Sequence, residues 1–78
     1  MNKEKTLEVL TILRADFFKA KTSEAERKAL IGINFIIKSE LGDNHPLVSK
    51  HYQIIGKQEP GWKFKLDTNL DEIVKLFK

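Results

Sequence analysis

Cysteine is absent from this 78-residue sequence, and proline, histidine and arginine each occur only twice. Without cysteine there can be no disulfide framework and no zinc knuckle or zinc finger. His45 and His51 do not form an H-x-x-x-H pair, so no metal site is expected. Arginine is confined to Arg14 and Arg27, which leaves little for reading base edges. The glycines, at 32, 42, 56 and 61, fit neither G-x-G-x-x-G nor a Walker loop, and no phosphate-loop cofactor is expected. No apolar run approaches the roughly 20 residues that span a bilayer. The charged start Met1-Asn2-Lys3-Glu4-Lys5 is not followed by an apolar h-region, so a cytoplasmic location is expected.

The charge is modest. Fourteen basic and eleven acidic residues leave a net +3, spread over both halves of the chain. That is a solubility statement more than a nucleic-acid signature. Apolar residues make up 41% of the sequence, enough for a core, and the length limits that core to one small domain over residues 1–78. Twelve lysines against two arginines, with eight isoleucines, suggest a low-GC coding sequence of bacterial or phage type.

Periodicity supplies the expected elements. Leu7, Leu10, Leu13, Phe17 and Ala20 recur at three- and four-residue spacing and predict an amphipathic helix over 4–20. Ile12 falls on its polar side. Ser23-Glu24-Ala25-Glu26 has the form of a capping box, and Gly42 suits a helix stop, so a second helix is expected over 24–41. It is apolar on more than one side. Ala29, Ile33, Ile36 and Ile37 form one stripe, while Ile31 and Phe35 project elsewhere. Asp43-Asn44-His45-Pro46 reads as a turn, with a short helical turn over 46–50.

Residues 51–66 carry two readings. Trp62, Phe64 and Leu66 alternate with Lys63 and Lys65 as in a half-buried strand. Pro60-Gly61 fits a type II turn, and 51–57 would supply the partner strand of a β-hairpin. Alternatively 46–55 is a helix ended by Gly56, with Val48, Tyr52 and Ile55 on one side. Thr68-Asn69-Leu70-Asp71 resembles another capping signature, opening a C-terminal helix that carries Leu70, Ile73, Val74 and Phe77. The expected fold class is α+β, with two long helices, a β-hairpin and a C-terminal helix; the alternative is mostly α, with four helices and one short strand.

The chemistry-bearing patterns are sparse. His45 and Ser49 would share a helical face near Asp43, but spacing alone does not assemble a triad, and both histidines read as surface residues. Asp67-Thr68-Asn69-Leu70-Asp71 opens like a calcium loop, yet Glu72 and Lys78 stand where that loop needs Gly and Glu. No catalytic constellation, metal site or cofactor is expected. Two binding surfaces remain. Ile12, Ile31 and Phe35 are candidate protein-interface residues, for a protein partner or a homodimer. Lys57, Lys63 and Lys65 would line the hairpin and are the alternative, a nucleic-acid strip, although lysines on an exposed strand also discourage aggregation. The expected function is that of a small non-enzymatic regulator or inhibitor acting by binding, with a nucleic-acid-binding module as the alternative and no membrane association.

Overall fold

The computed structural model describes residues 2–78 and contains four helices: α1 (Lys3–Lys19), α2 (Ser23–Leu41), α3 (Pro46–Lys57) and α4 (Trp62–Lys75). There is no strand among the described residues. The expected hairpin is therefore replaced by helix on both sides of the turn, and the fold is all-α.

Local chemistry accounts for the ends. Asn2 caps α1, its Oδ1 accepting from the Lys5 amide at 2.8 Å. The cap of α2 is Thr22, one residue before the expected Ser23, and its Oγ1 accepts from the Ala25 amide at 3.1 Å. Glu24 and Glu26 complement the positive end of that helix. Gly42 stops it at φ +83°, and its amide donates to the Lys38 carbonyl. Pro46 opens α3 behind an extended His45, whose Nδ1 accepts from the Leu47 amide at 3.1 Å. Pro60-Gly61 does form the expected tight turn. Gly61 has φ +82° and ψ +9°, and the Trp62 amide donates to the Glu59 carbonyl at 2.9 Å.

That turn joins two helices because residues after it continue a longer pattern. Trp62, Leu66, Leu70, Ile73 and Phe77 recur at three- and four-residue spacing, which a strand over 62–66 would break. A helix also satisfies its own backbone, whereas a strand here needs 51–57 as partner. Residues 51–57 instead continue α3, with Val48 and His51 buried and Ile55 packed against the core. Thr68, expected as a cap, lies inside α4, and its hydroxyl donates back to the Phe64 carbonyl at 3.2 Å.

The helices pair as two antiparallel hairpins, α1 with α2 and α3 with α4. Thr6 reaches Glu40 across the first, and Asn69 Nδ2 donates to the Leu47 carbonyl across the second. At Gly32 a Cβ would stand 3.0 Å from a Leu13 methyl, so the first hairpin uses a missing side chain to close. Leu10, Phe17, Ile33, Ile37, Val48, Leu66, Leu70 and Ile73 bury between the pairs as one core. Arg14 clips α1 to α4, through Asp67 at 2.7 Å and Asp71 at 3.6 Å. Gly56 has no such task. A Cβ there meets nothing within 4 Å, and its φ is not positive. Gly56→Ala is expected to stabilise the fold by about 0.5–1 kcal/mol through reduced unfolded-state freedom. The midpoint of urea denaturation reads the effect; an unchanged or lower midpoint contradicts it.

Candidate interaction surfaces

α2 buries Ala29, Ile33, Ile36 and Ile37 along one stripe. Ile31 and Phe35 sit four residues apart on its outer face, 58% and 71% exposed. The second apolar side of the helix is thus left uncovered by any other element among the described residues. Ile12 is also exposed, on α1, the helix against which α2 packs. The structure therefore places all three predicted apolar residues at the surface and brings Ile31 and Phe35 onto one face. Two of the lysines of that helix are matched locally, while Arg27, one turn before Ile31, has no ion pair among the described residues. Lys28 pairs with Glu24 at 3.6 Å, and Lys38 approaches Asp43 at 3.9 Å.

The three predicted lysines separate. Lys63 turns along the surface towards α2, donating to Glu26 Oε2 at 2.7 Å, with its ammonium 5.9 Å from the Phe17 ring centroid and 5.6 Å from that of Trp62. It fastens α4 to α2 and is not part of a basic strip. Lys57 and Lys65 face each other across the groove between α3 and α4, together with Lys50. None of those three has a carboxylate within 4.0 Å among the described residues. The groove is shallow, about 430 Å³ where Lys50, Ile54, Phe64, Lys65 and Thr68 line it.

Phe64 is the residue that sequence reasoning misplaced most. Strand alternation assigns it to the buried face beside Trp62 and Leu66; in α4 it is 78% exposed. Its two-residue spacing from Leu66 is the signal for exposure once the segment is helical, because residues two apart lie on different sides. Phe18, Tyr52 and Leu76 are exposed to a lesser degree.

His51 is the second correction. Far from the surface, it is fully buried among α2, α3 and α4. Its Nε2 lies 2.5 Å from Asn34 Oδ1, which sets the proton on Nε2 in the neutral ring. His51 Nδ1 has no hydrogen-bond partner among the described residues, and neither has the buried Asn69 Oδ1 of α4. Burial lowers the His51 pKa to about 4. Asp71 is also held below its ordinary range, by Lys75 first and then by Arg14. His45 and His51 do not meet a nucleophile in a cleft: His45 caps a helix and His51 is sealed in the core. No group of three or more His, Asp or Glu is placed to hold a metal ion among the described residues. Among the described residues, no helix is long and apolar enough to cross a membrane.

Comparison with protein-family models, with curated proteins and with solved structures finds no match to this chain.

Proposed function

We propose that this chain is a small cytoplasmic interaction protein, of the bacterial or phage regulator type, that acts without catalysis by pairing through the outer face of α2. The observation that carries the reading is the Ile31/Phe35 pair, two large apolar side chains four residues apart with no cover. A second copy is the occupant that suits it best. Lys28 is matched by Glu24 and Lys38 by Asp43, which leaves Arg27, one turn before Ile31, without an ion pair among the described residues; a single cation is a weak field for selecting a charged partner. A two-fold axis crossing α2 between residues 31 and 35 would set Ile31 against Phe35 of the partner subunit, twice.

The association is weak. Four side chains contribute about 1–2 kcal/mol each, against the entropic cost of association, which corresponds to a dissociation constant in the micromolar-to-millimolar range. Sedimentation equilibrium tests it. A monomer–dimer equilibrium that Phe35→Glu weakens by at least about tenfold is the expected result. A strict monomer up to millimolar concentration rejects the reading.

A further inference from the structure

We propose that the groove between α3 and α4 binds single-stranded nucleic acid without sequence preference, with Lys50, Lys57 and Lys65 on the phosphates and a base stacked on Phe64. Two independent observations converge there. The first is charge. Three ammonium groups line one groove with no carboxylate in ion-pair range, while Glu59 at its end is the one acidic residue of its walls. Elsewhere the lysines Lys28, Lys38, Lys63 and Lys75 are each matched to an acid. Lys3, Lys19, Lys21 and Lys78 are also without an ion pair among the described residues; what sets the groove apart is that three such ammonium groups line it together.

The second is the aromatic ring. Phe64 is the most exposed large apolar side chain of the described residues, at 78%, and packs against no other ring. It stands at the rim rather than in the floor, where Ile54 and Trp62 are half-buried. A projecting ring offers its face for stacking. An acidic amphipathic helix would instead need a continuous apolar floor, which the half-buried Ile54 and Trp62, set among Lys50, Gln53, Lys57 and Lys65, do not supply. A cationic groove with a free aromatic face is the combination that tracks a single strand, where every base has a π-face to stack. Duplex bases are already stacked and present no face to Phe64. No arginine lines this groove to read a base edge: Arg14 is committed to Asp67 and Asp71, and Arg27 lies on α2, outside the groove lining.

This site lies on other helices than the α2 face, and each stands or falls alone. The test is fluorescence anisotropy with a labelled oligothymidylate of about 10 nucleotides. Binding at low salt is expected, with affinity falling roughly 100-fold for a tenfold rise in salt if three phosphates are contacted. Lys65→Gln should remove about one third of that salt slope. Phe64→Ala should weaken binding about tenfold and leave the slope unchanged. Lys63→Gln, outside the groove, should change neither. All three side chains are exposed on α4, so the variants retain the core. The proposal is overturned by absence of binding at low salt, or by equal affinity for a duplex of the same length. It is also overturned if Lys63→Gln weakens binding as much as Lys65→Gln, or if a glutamate-rich amphipathic peptide binds while the oligonucleotide does not.

Discussion

Acidification from pH 7 to pH 5 is expected to remove about 2 kcal/mol of folding stability through His51 alone, and about 3 kcal/mol by pH 4. The sign follows from the ring's position. In the fold the His51 pKa is lowered to about 4, against 6.5 for the unfolded chain. The unfolded state therefore takes up a proton first. The stability this residue contributes is fully present above about pH 6.5 and is lost as the pH falls towards 4. Structurally, a second ring proton would sit on Nδ1, which is buried with no acceptor. For a chain of this length, with a total stability of about 4–12 kcal/mol, that loss is large. Urea denaturation at pH 7 and pH 5 measures it, and His51→Gln serves as reference. The variant should be less stable at pH 7 but should lose little more between the two pH values. If both proteins lose stability equally, His51 is not the group responsible. Asp71, held low by Lys75 and Arg14, acts at lower pH, and the His51→Gln reference separates the His51 contribution from that of every other group.

Phe17→Ala is expected to cost about 3–5 kcal/mol, enough to bring the protein close to unfolding at ambient temperature. Phe17 is 2% exposed near the end of α1. Its ring meets Phe18 edge-on at 4.9 Å and Trp62 at 6.2 Å, with the Lys63 ammonium beyond. Trp62 opens α4, so this one side chain ties the first hairpin to the start of the second. Removal leaves a cavity at that junction and also unseats Trp62. Phe18→Ala is the comparison, since its side chain is 40% exposed, and it should cost about 1 kcal/mol or less. A Phe17→Ala midpoint within the range of Phe18→Ala contradicts the assignment.

Much of the first half was legible because its signals agree. Leu10, Leu13 and Phe17 repeat at helical spacing, and Glu24, Glu26 and Gly42 bracket α2. Periodicity also puts Ile12, Ile31 and Phe35 off the core stripe, but it leaves open whether another element covers Ile31 and Phe35, which depends on how the second half of the chain packs. The second half was misread at Trp62-Lys63-Phe64-Lys65-Leu66, where alternation and helical spacing share two of three apolar positions. Only Phe64 distinguishes them, and it is the residue whose environment changes most. The Pro60-Gly61 turn was read correctly but does not reveal what it joins. His51 was misplaced for a related reason. Imidazole is commonly a surface group, and its burial rests on Asn34, 17 residues away, a pairing that no local pattern carries. Of the lysines, sequence order grouped Lys57, Lys63 and Lys65; helix geometry keeps Lys57 and Lys65, adds Lys50 and sends Lys63 to Glu26.

The pairing of neighbours, α1 with α2 and α3 with α4, has a kinetic side. Each hairpin is closed by a short connection, so its contacts form with little loss of loop entropy, and chains built mostly from such local contacts fold fast. The long-range ties are few and specific: Arg14 to Asp67, Phe17 to Trp62, Glu26 to Lys63 and Asn34 to His51. These are the contacts that must wait for the hairpins to dock. Docking, rather than helix formation, is then the step at which the chain commits to one arrangement. The polar ties across the seam, the charged clips and the Asn34–His51 bond, set the register in which the two halves meet.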